Sequence, residues 1–257
     1  MPRFRIPALV LALLLAPGWA GAEQPGQGPP ARNAPVTTGA AIVASPSPYS
    51  GVSSNLTPVP LLNLERGRFS LRGIQARYRL WQKSHGTLSA VVQPRLQSYD
   101  ENDSPALAGM DSRRWTVEGG LRYSLQAGAW GFDLQGLTDL LGRHDGHEVT
   151  AGLDYRLVAL SRFQLSPGAG VVWQSAALVD YYYGVRPDEA RPGRPAFAGK
   201  AALSPYASLV GRLRLVGRWG LLAYARHTWL DDAITDSPIV ARDTSYSGVL
   251  AITYAFF

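Results

Sequence analysis

Apolar side chains alternate with polar or small ones along much of the chain. In residues 115–126, the odd positions are aromatic, aliphatic or glycine, whereas the even positions are mostly charged or polar. Successive side chains of a β-strand point to opposite sides, so this pattern indicates a strand between an apolar and a polar environment. Residues 146–158 and 161–175 repeat the alternation, and no stretch of comparable length has a helical period.

The length of these runs distinguishes a membrane barrel from a soluble sandwich. Sandwich strands usually have about five or six residues, whereas a tilted strand needs about 9 to 11 to cross a bilayer. Trp115 and Tyr123 lie near opposite ends of one run, and Phe163 and Trp173 of another, as in the aromatic girdles of outer-membrane barrels. Because hydrocarbon offers no hydrogen-bond partner, every backbone group of a spanning sheet must be paired within the protein, so the sheet must close on itself. The sequence predicts an all-β fold, a transmembrane antiparallel up-and-down β-barrel.

The alternation predicts twelve strands. The pattern is weakest in the first, second and ninth, which leaves ten as the alternative, since bacterial barrels have even strand numbers. In the third run the apolar face changes parity between Phe69 and Ile74, which predicts a bulge near Gly73. The predicted strands are 39–45, 57–65, 67–81, 86–98, 113–126, 129–141, 146–158, 161–175, 176–185, 199–215, 217–230 and 244–257.

The connections between these strands alternate in length, which predicts their location. Short links at 126–129, 159–161 and 216–218 are typical of periplasmic turns. Four longer ones are typical of outer loops, namely 99–111, 142–146, 186–198 and 231–243. The last predicted strand ends on aromatic residues, and its apolar register includes Phe256 rather than Phe257.

The N-terminal region has the features of an export signal. Residues 1–22 combine two arginines, an apolar stretch at 6–16 and a small-residue cleavage motif, Ala20-Gly21-Ala22. Residues 23–38 are expected to form a disordered tail, because they contain few large apolar side chains. Residues 39–257 would then form the barrel, exported to the outer membrane.

Composition excludes several classes of function. The chain has 257 residues and no cysteine, which removes disulfides, thiolate metal sites, a cysteine nucleophile and a lipoprotein anchor. The net charge of +6 is compatible with a nucleic-acid partner, but the arginines of the chain are spread among apolar residues rather than clustered. We therefore expect no nucleic-acid binding.

Several motifs resemble the MltA-interacting protein (MipA/OmpV) family of outer-membrane barrels. They are Pro48-Tyr49-Ser50-Gly51, Leu107-Ala108-Gly109-Met110 with Arg113, Asp139 with His144 and Gly146, Leu165-Ser166-Pro167 with Trp173, residues 180–185, Ser204-Pro205-Tyr206 and residues 232–240. The resemblance implies a scaffold that brings a murein lytic transglycosylase together with a murein synthase, a penicillin-binding protein, on the periplasmic side. Other members of the family are discussed as porin-like or adhesive.

The polar strand face supplies candidate functional residues. Arg114, Glu118, Arg122, Asp154 and Arg156 are predicted to face the lumen. Because both charges are present, they can form cross-strand pairs or line a narrow watery path. A narrow channel for small solutes is therefore the alternative to a scaffold, and a lipid-modifying outer-membrane enzyme is a second alternative.

Few other residues suggest a site. Asp236, Ser237 and Pro238 could form a recognition loop, although the same residues are typical of a structural turn. His144 and His147 have the side chains of a metal site but lack a ligand spacing, and nothing in the sequence pairs a serine with His227. We expect no catalytic, metal or cofactor site, and a monomer that contacts membrane lipid and lipopolysaccharide.

Overall fold

The computed structural model describes residues 36–256 except 46, 53 and 54. The predicted signal at 1–22 and most of the expected tail at 23–38 lie outside these residues, as does Phe257. The first strand begins at Val36, so residues 36–38 belong to the sheet and not to the tail. The strands are β1 Val36–Ser45, β2 Asn55–Arg66, β3 Phe69–Arg72, β4 Gln75–Lys83, β5 Gly86–Arg95, β6 Thr116–Ala127, β7 Trp130–Asp139, β8 His147–Tyr155, β9 Val158–Ala159, β10 Phe163–Gln174, β11 Ala202–Arg214, β12 Trp219–Trp229 and β13 Thr244–Phe256, and the helices are α1 Ala176–Tyr183 and α2 Asp232–Thr235.

The strands form one closed antiparallel sheet. β1 pairs with β13 from Val36 opposite Phe256, and β10 completes the ring by pairing with β8 on one side and β11 on the other. The two-residue β9 pairs with β10 beyond the end of β8, so β8 and β9 occupy one position. The result is a barrel of twelve strands, which confirms the predicted architecture and strand number.

The outer surface of the barrel is apolar, and its polar side chains face inward. Trp115, Leu121 and Tyr155 are 49%, 51% and 37% exposed, whereas Arg122, next to Leu121 in the chain, is 3% exposed. Tyr155 also packs against Trp130 of the neighbouring strand, with ring centroids 4.7 Å apart and the rings tilted by 53°. The pair lies at the end that carries the short turns and both described chain ends, where an aromatic girdle meets the periplasmic interface.

The third predicted strand is in fact two strands. β3 and β4 are joined by a tight turn at Gly73, whose φ of 58° favours glycine. The predicted bulge near Gly73 was therefore wrong: the apolar face changes parity because the chain reverses direction there. The bulge in this hairpin lies further on, between Arg79 and Trp81, where β4 pairs with β5.

The ninth predicted strand, 176–185, was also wrong, because most of it forms helix α1. Leu178 and Tyr182, and likewise Val179 and Tyr183, are four residues apart, and all four are buried. This spacing places them on one helical face, which a two-residue alternation does not capture. The two errors offset each other in the strand count. No helix in the described residues is long and apolar enough to cross a membrane.

The β3–β4 hairpin is shorter than the strands beside it, and proline occupies the edge that it leaves unpaired. In the described chain, β2 pairs with β3 only through residues 63–66. The Gly73 N–H donates to the Leu62 carbonyl at 3.1 Å, so even-numbered positions of β2 direct their backbone groups toward this side. Pro58 and Pro60 are even-numbered and carry no N–H, so they present no unpaired donor to lipid.

The same rule applies across the hairpin. The Gln126 N–H donates to the His85 carbonyl at 2.9 Å. The backbone groups of odd-numbered residues along β5 therefore point toward β6 and bond to it. Even positions then face β4, which begins only at Gln75, opposite Gln93. Pro94 lies one residue beyond this point, so it too lacks a donor where the neighbouring strand ends. Three prolines thus border the short hairpin.

Candidate functional site

The long connections of the outer end pack into a continuous layer, the outer cap, formed by residues 47–52, 96–115, 175–201 and 230–243. Its buried core contains Tyr49, Tyr99, Leu107, Met110, Leu178, Val179, Tyr182, Tyr183, Val185, Ala202, Ile234 and Ile239. All of them except Ala202, the first residue of β11, lie in the cap, and each of its four segments contributes, so apolar burial holds the loops together across the barrel mouth.

Two arginines fix the outer cap through charged and backbone partners. The Arg113 guanidinium donates to both Glu189 carboxylate oxygens, at 3.1 and 2.9 Å, and its Nε donates to the Tyr181 carbonyl at 2.7 Å. Arg194 donates from Nη1 to the Ala106 carbonyl at 2.7 Å. Both contacts join residues 96–115 to 175–201. Bidentate geometry of this kind makes the pair specific as well as strong.

The Glu189 carboxylate is stabilised in its charged form. Burial alone would raise the pKa of Glu189, but hydrogen bonds from the Arg113 guanidinium and from the backbone N–H groups of Arg186 and Asp111 lower it by more. The net pKa lies below the ordinary value of 4.5. The ion pair therefore stabilises the cap at neutral pH and is lost as the pH falls through the lowered pKa.

The expected recognition loop forms part of the cap. Ser237 is 2% exposed, and its hydroxyl donates to the Tyr183 carbonyl at 2.5 Å, so it joins this loop to the end of α1. Pro238 is half-buried and Asp236 is exposed. Of the three predicted residues, Ser237 is therefore inaccessible and structural, Pro238 is partly accessible, and Asp236 is the most exposed.

Beneath the cap lies a buried charge cluster that faces the lumen. Arg95 donates from Nε to Glu118 and from Nη2 to the Glu148 carboxylate, the latter at 2.7 Å. Gln174 donates a further bond to Glu148 at 2.9 Å, and the His144 Nε2 atom lies 3.5 Å from Glu118. One arginine thus bridges two carboxylates that are each 1% exposed. We call Arg95, Glu118, Glu148 and His144 the charge cluster.

Apolar side chains fill the opposite side of the lumen at middle height. They come from β1, β2, β11, β12 and β13 and are Ala41, Leu61, Val210, Tyr224, Val249 and Ala251. Nearby, the Arg226 guanidinium stacks 3.6 Å from the centre of the Tyr206 ring. A continuous water-filled path past the charge cluster or past the apolar side chains would leave the residues beside it solvent-accessible, yet the residues of both groups are buried.

The lumen widens below this level into a cavity of about 510 Å³, which we call the arginine chamber. It reaches the short turns, because Ser84, His85 and Gly128 contribute to its lining. Its charged lining consists of seven arginines and three carboxylates: Arg68, Arg72, Arg77, Arg79, Arg122, Arg156, Arg212, Glu65, Asp133 and Asp154. Arginines therefore dominate the charged lining of this cavity.

The five residues predicted to face the lumen are placed in three different surroundings. Glu118 belongs to the charge cluster, whereas Arg122, Asp154 and Arg156 line the arginine chamber. Arg122 also pairs with Asp133 at 2.6 Å. Arg114 differs, because β6 begins only at Thr116. Its side chain is exposed, and its backbone N–H donates to the Tyr181 hydroxyl at 3.0 Å, so the inward series along β6 does not include it.

The arginines of the β3–β4 hairpin were not among the residues predicted to face the lumen, yet Arg72, Arg77 and Arg79 all line the chamber. The alternation sets Arg77 and Arg79 opposite the apolar face of residues 74–80, but treating 67–81 as one strand hid the chain reversal that brings Arg72 to the same chamber. Arg212, on β11, was likewise not singled out. The signal that was present is the occurrence of arginine at alternate positions within otherwise apolar runs, which indicates a polar strand face.

The histidines considered as ligands or bases have separate roles. The His144 Nδ1 atom accepts from the Gly146 N–H at 3.0 Å, while His147 is exposed. His227 packs against Trp229 and Tyr246, with centroids 4.4 and 4.5 Å apart, as a member of an aromatic group on the barrel wall. Within the described chain, no group of three or more acidic, histidine or cysteine side chains could hold a metal ion.

A closed apolar-faced ring with a polar interior defines an outer-membrane β-barrel, and comparisons with known proteins agree. The family model of MltA-interacting protein MipA matches residues 38–256. The chain therefore belongs to the MipA family. It is 32% identical over 225 residues to the MltA-interacting protein of Escherichia coli (strain K12), covering 85% of this chain and 89% of that protein.

Other relatives are also outer-membrane proteins by name. The chain is 27% identical to the putative outer membrane protein YiaT of Escherichia coli (strain K12), over 86% of this chain and 91% of that one. Among solved structures, it is similar to an outer membrane channel of Pseudomonas putida F1, with 14% identity, a TM-score of 0.46 and coverage of 90% and 100% of the two chains. Membership of the MipA family and the outer-membrane relatives place the protein in the outer membrane.

Replacing Arg95 tests the charge cluster. Arg95→Met leaves Glu118 and Glu148 buried without their shared cation, so we expect the free energy of unfolding to fall by about 3–5 kcal/mol. The measurement is the denaturant midpoint of the barrel, followed by its heat-modifiable migration on gels. A triple variant with Glu118→Gln and Glu148→Gln in addition removes the uncompensated charges and should recover most of the loss. Equal stability of wild type and Arg95→Met would contradict the assignment.

Acid should loosen the outer cap before it unfolds the barrel. Because the Glu189 carboxylate has a lowered pKa in the folded cap, amide exchange in residues 96–115, corrected for its intrinsic pH dependence, should accelerate as the pH falls below about 4.5. In Glu189→Gln the carboxylate is gone, so exchange should be faster at neutral pH and lack this acid-dependent step. Identical pH profiles for the two proteins would exclude the ion pair as the cause.

Proposed function

We propose that this protein is a non-enzymatic scaffold that holds a murein lytic transglycosylase at the periplasmic side of the outer membrane, close to a murein synthase of the penicillin-binding class. The relative that is 32% identical carries the name MltA-interacting protein, which supports a partner of this kind. Membrane lipid and lipopolysaccharide would surround the apolar wall, in keeping with its exposed leucine and tryptophan side chains.

The burial of side chains at the outer mouth and in the middle of the lumen is the observation that carries this proposal over transport. The outer cap covers the mouth, and the charge cluster and the apolar lumen residues fill the middle level. The periplasmic end, in contrast, carries an accessible rim of short turns, including the exposed residues Val216, Gly217 and Arg218. A barrel that is closed outward and accessible inward is suited to holding a periplasmic protein.

Retention of the partner is the direct test. The full-length barrel, purified in mild detergent and immobilised, should retain a purified murein lytic transglycosylase. Arg218→Glu, on a periplasmic turn, should weaken retention, whereas Arg242→Glu, on an exposed outer loop, should not, although both make the same change of charge. Absence of retention by the wild-type barrel, or equal effects of the two substitutions, would contradict the proposal.

The narrow channel is the second candidate, and the polar chamber is the feature that favours it. The buried middle level opposes it, so we expect the wild-type protein to show no stepwise conductance in planar bilayers. An Arg95→Ala, Tyr182→Ala variant, which shortens side chains from the charge cluster and the cap, should conduct if it retains heat-modifiable migration. Stepwise conductance of the wild type would favour the channel.

A further inference from the structure

We propose that the arginine chamber is a binding site for a compact polyanion, bearing phosphate or carboxylate groups, that enters from the periplasmic end. Its volume of about 510 Å³ falls within the range of small-molecule sites. This site goes beyond the scaffold role and does not depend on it, because it concerns the inner wall of the barrel rather than the partner protein.

The charge balance of the lining carries the proposal. Seven arginines face three carboxylates, so the chamber has four more positive than negative side chains. Two of the three carboxylates are already engaged: Asp133 pairs with Arg122 at 2.6 Å, and Glu65 lies 3.9 Å from Arg72. In a pocket whose walls are surrounded by lipid, the surplus positive side chains repel one another strongly. They also attract anions strongly.

The chemistry of the lining suits a phosphorylated or carboxylated ligand. Guanidinium groups present several N–H donors in a planar fork that matches both oxyanions. Neutral hydrogen-bonding side chains lie among them and would bind further oxygens of the ligand. They include Ser70, Thr87, Ser89, Ser166 and Ser208.

The level above the chamber favours binding over passage. Arg95 is bonded there to two carboxylates, Glu118 and Glu148, and all three side chains are buried, so the surplus of arginines in the chamber does not continue into the charge cluster. An anion that enters from the turns thus meets buried carboxylates and packed side chains at the upper end of the chamber. Unlike the chamber, the charge cluster has more carboxylates than arginines.

Calorimetric titration of the full chain in nanodiscs of zwitterionic lipid tests the site, with inorganic pyrophosphate and citrate as probes. We expect binding that weakens as the ionic strength is raised to about 1 M, and no binding of a neutral sugar. Arg77→Gln and Arg212→Gln should each weaken binding roughly tenfold, since each removes a charge-assisted contact. Arg242→Gln, an equal loss of charge on an exposed outer loop, should leave the affinity unchanged.

The source of the anion is distinguished by the surrounding lipid. If a phospholipid headgroup is the natural occupant, nanodiscs of anionic phosphatidylglycerol should compete with pyrophosphate, whereas a soluble periplasmic anion predicts equal affinity in both lipids. Either result supports the chamber as an anion site. Heat-modifiable migration verifies that each variant is folded, and Arg156→Gln replaces any that is not. Absence of pyrophosphate and citrate binding, or equal affinities for the chamber variants and wild type, would overturn the proposal.

Discussion

The requirement that every backbone N–H and C=O group be paired inside hydrocarbon governs this structure. It closes the sheet into a ring, in which β1 meets β13 from Val36 opposite Phe256. Where the ring is locally incomplete, above the short β3–β4 hairpin, the same requirement explains Pro58, Pro60 and Pro94. Proline has no backbone N–H, so at these three positions no donor is left without a partner where the neighbouring strand is missing. Any other residue type would leave an unpaired N–H group there.

The closed ring also separates the polar side chains from the lipid and brings them together inside. The interior then has three levels: an apolar outer cap, a filled middle level with the charge cluster, and the arginine chamber near the turns. Buried ion pairs at the middle level satisfy one another, whereas the chamber retains a positive surplus. Buried side chains thus occupy the outer end of the barrel, whereas the chamber reaches the short turns, and the proposed periplasmic function rests on this difference between the two ends.

Strict alternation made most of the fold predictable from the sequence. It assigned the lipid and lumen faces of Leu121 and Arg122 correctly, because a two-residue period depends only on the strand itself. It was insufficient at residues 67–81, where reversal of the chain mimics a shift of parity, and at 176–185, where buried residues four apart, such as Leu178 and Tyr182, form a helix. Lumen groups such as Arg77 and Arg212 could not be brought together in advance, since their meeting depends on ring closure and strand register.

The absence of native cysteine permits a direct test of which side chains face lipid. Single cysteines at positions 121 and 153, and at 122 and 156, can each carry a spin label in the membrane-embedded barrel. The account predicts high collision rates with oxygen dissolved in the lipid at 121 and 153, and low rates at 122 and 156. Equal rates at all four positions, or the reverse order, would contradict a closed barrel with an apolar outer wall and a polar interior.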